Sequence, residues 1–182
     1  MAAGCSTTRT IFSSGAPVED AEAPALAEQS AAQISIAEGV ALTLPLAPGY
    51  LEERLLFQTL IGHYDGRTRG FQATLSLSPE RVEIILLAPS GPRVMELVWT
   101  QEGILETRSR LAPEDLDGLN ILADIFVASW PKEAVAAALP ANAAVLTGEG
   151  GREIWRDETL IIDIEQLGVD DAGRSRSRLS HL

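Results

Sequence analysis

The chain has 182 residues and a formal net charge of −12, a size that allows one domain. That charge argues against nucleic-acid binding and against a polybasic membrane patch, both of which need a basic face. Apolar residues make up 46% and aromatics only 5%, so a core or cavity here is mainly aliphatic, and no run of about 18 apolar residues is long enough to span a bilayer.

The chain opens Met1-Ala2-Ala3-Gly4-Cys5-Ser6. Small residues before a cysteine, then a polar tract, resemble the cleavage site of a bacterial lipoprotein, and lipidation at Cys5 is expected in the full-length precursor. Cys5 is the single cysteine, so no internal disulfide forms. Residues 6 to about 33 carry no steady period and are rich in Ala, Ser, Thr, Glu and Pro, the composition of a flexible tether. A short helix from Pro24 to Gln33 is favoured by its Ala, Leu, Glu and Gln. The chain thus divides into a tether at 1–33 and a domain at 34–182.

A short strand is expected near Val40 to Leu44, before Pro45 and Pro48 break the chain. From Glu53 to Leu111 the pattern is five antiparallel strands in a row, joined by turns at Asp65-Gly66, Ser78-Pro79-Glu80, Ala88 to Pro92 and Gln101 to Gly103. In the second of these, Phe71, Ala73, Leu75 and Leu77 share a face. In the third, Val82, Ile84 and Leu86 share one; in the fourth, Met95, Leu97 and Trp99. The first is apolar on both faces: Leu55, Phe57, Thr59 and Ile61 alternate with Leu56, Gln58, Leu60 and Gly62. One apolar and one wet face describe a curved meander that something must cover.

Helical signals follow. Pro113-Glu114-Asp115 reads as a first turn, and Leu119, Leu122, Ile125, Phe126 and Ser129 lie on one stripe at a spacing of about 3.6. Trp130 and Pro131 close that helix, and Pro131 opens a second with Val135 and Leu139 on one side. Strands return at Ala143 to Thr147, Arg152 to Arg156 and Thr159 to Glu165, with a turn at Asp157-Glu158. From Gly168 the composition is polar, either a disordered tail or a hairpin loop and the start of a strand left unfinished at Leu182.

The order of lipobox-like cysteine, tether, meander, two helices and more strands resembles an uncharacterised family of bacterial outer-membrane lipoproteins related to the lipoprotein-localisation factors LolA and LolB. The residues carrying the likeness are Leu60-Ile61-Gly62-His63-Tyr64-Asp65-Gly66, Phe71-Gln72-Ala73-Thr74-Leu75, Leu87-Ala88-Pro89-Ser90-Gly91, Leu122-Ala123-Asp124 and Trp130-Pro131. The resemblance implies a mainly β, α+β fold: an unclosed antiparallel β-barrel of about eleven strands covered by two or three helices. It implies an apolar cavity for acyl chains, an anchor in the periplasmic face of the outer membrane, and a periplasmic carrier as partner. Such members look to be encoded beside genes for aryl polyene lipids, which makes that pigment lipid a candidate cargo.

The bottom-up reading leaves two outcomes open. Covering helices either fill a curved aliphatic sheet or stand off and leave a pocket. The residues expected around such a cavity are Phe57, Leu75, Ile84, Leu86, Leu97, Trp99, Ile125 and Phe126. No catalytic set is expected: His63 beside Asp65 reads as a hairpin histidine, Gly148, Gly150 and Gly151 as a turn without the Lys-Ser/Thr of a phosphate loop, and there is no nucleophile elbow. Two distant histidines and a terminal cysteine do not make a metal site, and no cofactor is expected.

Overall fold

A computed structural model describes residues 25–26, 31–50, 52–64, 67–169 and 175–182. Cys5, most of the expected tether and the Asp65-Gly66 turn lie outside these residues. The strands are β1 (Ala25–Leu26), β2 (Gln33–Ala37), β3 (Val40–Thr43), β4 (Arg54–Tyr64), β5 (Arg67–Leu77), β6 (Arg81–Leu87), β7 (Arg93–Thr100) and β8 (Gly103–Arg108). Helices α1 (Gly118–Ser129) and α2 (Lys132–Ala138) follow, then β9 (Ala143–Gly148), β10 (Gly151–Arg156), β11 (Thr159–Val169) and β12 (Ser175–His181).

The fold is mainly β with two helices. The strands form three antiparallel sheets: six strands in the order β1-β8-β7-β6-β5-β4, four in the order β12-β11-β10-β9, and the pair β2-β3. None of the three closes on itself. The five-strand meander is present, and of its expected turns those at Ser78-Pro79-Glu80, Ala88 to Pro92 and Gln101 to Gly103 lie among the described residues and are turns. At the β5–β6 turn the Ser78 hydroxyl donates to the Arg81 carbonyl (2.8 Å) and accepts from the Arg81 N–H (3.1 Å). At the β6–β7 turn Gly91, at φ 102°, donates to the Ala88 carbonyl, a conformation that suits glycine.

Register carries the alternation across the sheet. Leu56, Leu75, Ile84 and Leu97 stand opposite one another in one cross-strand row. Ala73, Leu86 and Met95 form the next, and Leu77, Val82, Trp99 and Ile104 the one after. All but the half-buried Leu56 are buried, and α1 and α2 add Leu122, Ile125, Phe126, Val127 and Val135 to the same cluster.

Three expectations are corrected. The Pro113–Asp115 stretch is a turn, not a helical first turn. The helix starts at Gly118, where the Asp117 carboxylate caps it by accepting from the N–H groups of Leu119 (2.9 Å) and Asn120 (3.2 Å). Glycine at 118 has a packing reason: a Cβ there would stand 2.6 Å from Glu106 Oε2 and 3.0 Å from Leu97 Cδ2. Ala25–Leu26, placed by propensity in a short helix, instead pairs with Leu105 and Glu106 of β8; a helix that short is marginal without packing, and an edge offers backbone partners at once. Gln33, placed at the end of the tether, opens β2, which pairs with β3 through a Glu38-Gly39 turn. Of the two readings left open for the polar C-terminal stretch, the strand is the one found: Ser175–His181 pairs along β11.

A candidate apolar interior

The interior between the six-stranded sheet and the helices is the place where the expected ligand-binding residues converge. Leu75, Ile84, Leu86, Leu97, Trp99, Ile125 and Phe126 are all buried, and all belong to one core cluster. Phe57 does not join them. It is 76% exposed, with Leu55 and Ile61 exposed beside it. The inward residues of β4 are Leu56 and Leu60. Leu56 faces inward because it pairs with Leu75, whose own face is fixed by the polar Thr74 and Ser76 on either side. With apolar residues on both faces, β4 alone cannot specify which row goes in; its neighbour decides.

The aromatic side chains sit together. Trp99 and Trp130 have ring centroids 5.9 Å apart, Phe126 and Trp130 5.1 Å, and Trp99 and Phe126 6.1 Å. Tyr50 meets Trp130 edge-on at 4.8 Å. The Trp130 indole N–H donates to the Pro48 carbonyl at 2.7 Å, so the one polar atom of that buried ring is satisfied. Trp130 thereby ties the Pro45–Tyr50 segment, the end of α1 and the sheet into one unit. Leu42, Leu44, Met95 and Leu122 complete this cluster. Leu42 and Leu44 lay in an expected strand whose alternation was the available signal for their burial. Among the described residues, none that is buried is polar or charged.

Charge is confined to the rim. Glu106 continues the Leu56–Leu75–Ile84–Leu97 row onto β8. Burial raises its carboxyl above the usual range, Arg108 at 3.5 Å opposes that rise, and Asp117 adds to it. Arg108 donates to the carbonyls of Pro113 (2.8 Å) and Leu116 (2.6 Å), fixing the approach to α1. On the other side, Arg152 of β10 donates to the Val127 carbonyl in the last turn of α1, where a cation complements the helix dipole. Burial lowers that guanidinium below its ordinary value while Glu133 acts the other way. His181 of β12 completes the ring: its Nε2 lies 2.9 Å from Asp124 Oδ1 of α1 and its Nδ1 3.1 Å from the Ile36 carbonyl of β2. Thus α1 is gripped by polar contacts at its edges and by apolar packing beneath.

The other candidates separate from this interior. His63 is paired by register with Thr68, and Asp65 lies outside the described residues. The Gly148–Gly151 turn borders a groove of about 410 Å3 over β9, β10 and β11. Glu153, Asp163 and Glu165 line that groove, which suits neither phosphate nor an acyl chain. Among the described residues no group of three or more His, Cys, Asp or Glu side chains could hold a metal ion, and no helix is long and apolar enough to cross a membrane.

No curated protein and no solved structure matches the chain. Residues 56–182, which contain the meander from β4 onward, both helices and the C-terminal sheet, match the family described as protein of unknown function (DUF3261), and the chain belongs to that family.

Proposed function

We propose that this chain is an outer-membrane lipoprotein, anchored through Cys5 on the periplasmic face, that binds or transfers a hydrophobic molecule within a LolA/LolB-like half-barrel. The cargo class is an acyl lipid, an aryl polyene lipid or the acyl chains of another lipoprotein, received from or passed to a periplasmic carrier. One observation carries the reading: among the described residues, every side chain buried between an unclosed sheet and two short helices is apolar. Such an interior discriminates by desolvation, since a buried polar group without a partner is costly and a methylene gains about 0.8 kcal/mol. The ties at Arg108, Arg152 and His181 are all at the rim, so α1 can lift with few polar contacts to break, and each tie is remade in water. Transfer to a carrier or membrane offering similar burial then runs nearly level in free energy.

A second reading has its own observation. Trp99, Phe126 and Trp130 already touch one another, as a half-barrel filled by its own side chains requires. The chain would then be a structural or assembly lipoprotein that binds a protein partner at a sheet edge.

Native mass spectrometry of the chain carrying Cys5→Ser, purified from its own host without detergent, separates the two. An adduct of lipid mass, or uptake of added fatty acid, is expected for the carrier. A clean apo mass with no uptake excludes it and leaves the filled half-barrel. For the anchor, Cys5→Ser in the full-length gene is expected to move the protein from the membrane to the soluble fraction; unchanged fractionation rules the anchor out.

A further inference from the structure

The edges of the sheets are guarded unequally. β12, the edge of the four-stranded sheet, carries exposed Arg176 and Arg178, charges of the kind that discourage edge pairing. β9, at the opposite edge, is short and lies against α2. β1, at one end of the six-stranded sheet, has two residues. β4, at the other end, has eleven and pairs only with β5 among the described residues. From Leu55 to Ile61 it contains no charge, no proline and no bulge in its ladder with β5. Leu55, Phe57 and Ile61 are 61%, 76% and 63% exposed along it. A long, regular, uncharged edge is a template for another strand.

Its sequence says which strand. Leu55-Leu56-Phe57-Gln58-Thr59-Leu60-Ile61 is nearly symmetric about Gln58. Antiparallel pairing about a two-fold axis normal to the sheet keeps outward face with outward face. Centred on Gln58, it sets Leu55 opposite Ile61 of the second copy and Phe57 opposite Thr59 on the outward face. On the inward face it sets Leu56 opposite Leu60 and Gln58 opposite Gln58. Directly opposed side chains of this kind stabilise a sheet pair. A centre at Phe57 would set Glu53 against Ile61 and Leu56 against Gln58; a centre at Thr59 would set Leu56 against Gly62. Of these three centres only Gln58 sets Leu55 against Ile61 and Leu56 against Leu60 at once, and its one mixed pair is Phe57 with Thr59.

We propose that two copies of this chain dimerise by antiparallel pairing of their β4 edges about Gln58, joining two six-stranded sheets into one. This contact lies outside the interior and holds whichever cargo, if any, the interior takes. It turns the outward row of each copy into half of a shared apolar strip.

Sedimentation velocity of the full, unlipidated chain tests it. The expected mass is twice 19.4 kDa. Phe57→Lys with Ile61→Lys, at positions already facing water, is expected to return the monomer with an unchanged circular dichroism spectrum. Register is tested independently in a Cys5→Ser background. Gln58→Cys is expected to form an intermolecular disulfide, because directly opposed Cα atoms lie within bridging distance. Gln72→Cys, exposed on β5 away from the edge, is the control and stays reduced. A monomer at every concentration overturns the proposal, and binding of that monomer to phospholipid vesicles through Phe57 would assign the row to a lipid surface instead. A dimer that survives the two lysines, or in which Gln58→Cys crosslinks no faster than Gln72→Cys, also overturns it.

Discussion

β4 and β7 belong to the same sheet, yet they treat their large side chains in opposite ways. In β7, Met95, Leu97 and Trp99 go inward, between half-buried Glu96, Val98 and Thr100. In β4, the larger residue, Phe57, is outside, and Leu56 and Leu60 are inside. A strand buries the row that its neighbours' registry selects, and hydrophobicity decides only when the two rows differ. β7 has a partner on either side, and among the described residues β4 pairs with β5 alone. Hydrophobic size is therefore a poor guide to burial at the rim of a sheet and a good one at its centre.

The largest effect should come from breaking that contrast in energy. Trp99→Ala removes a fully buried ring that touches Phe126 and Trp130, and is expected to destabilise the fold by roughly 3–5 kcal/mol. Phe57→Ala, of similar chemistry but at a 76% exposed site, should change stability by less than about 0.5 kcal/mol in the monomer. Chemical denaturation of both, at concentrations where sedimentation shows a monomer, checks the pair; equal losses would contradict the assignment of the two faces.

A smaller effect is expected where backbone rather than side chain sets the limit. Gly151 opens β10 at φ 145°, and a Cβ there would lie 1.8 Å from the Ile164 carbonyl oxygen. Gly151→Ala should cost on the order of 1–3 kcal/mol, because the obstacle is ladder backbone that cannot turn aside. The same change at Gly148, with open space around it, should fall within about 0.5 kcal/mol. Thermal melts of the two variants would sharpen the difference between an open turn and a crowded strand start.

The smallest effect is electrostatic. His181 faces two acceptors, the Asp124 carboxylate of α1 and the Ile36 carbonyl of β2, so both ring nitrogens must carry protons to satisfy them. Opposite it on β11 stands the apolar Ile162. The hydrogen bond to Asp124 raises the imidazole above its ordinary value, burial opposes this, and the Asp124 charge and the Ile36 carbonyl add to the rise. A raised histidine contributes stability that is fully present below its unfolded pKa of about 6.5 and is lost as pH rises through the higher folded value. The stability gap between the parent and His181→Gln should therefore shrink from mildly acid to mildly alkaline pH, and Asp124→Asn should flatten it. Urea midpoints across that window check this, and a gap that does not change with pH would remove the imidazolium bridge.

Much of the fold was legible because its signals are local. The strict alternation of Phe71–Leu77, Val82–Leu86 and Met95–Trp99 fixed both strand type and buried face, and the seven interior residues named on those strands and on α1 do share one core. The 3.6 spacing from Leu119 to Phe126, with Trp130 and Pro131 behind it, fixed the two helices. The elements misplaced or left open lacked such signals. Phe57 sits in a strand with two apolar rows. Gln33–Ala37 and Ala25–Leu26 are short, and each is a strand only because a distant partner, β3 or β8, pairs with it. The polar Ser175–His181 has almost no hydrophobic pattern and is held by its ladder with β11.

Sequence by itself determined the order of the elements from β3 to β11, the turns at 78–80, 88–92 and 101–103, and the inward rows of the central strands, since those follow from periodicity within a few residues. Tertiary structure decided the rest. It set how three sheets divide the strands, which row of β4 faces water, and how Pro48, Arg152 and His181 meet α1 and its cap Trp130 across separations of 82, 25 and 57 residues. Such choices depend on which backbone edges and side chains meet in space, and no short window of sequence contains both partners.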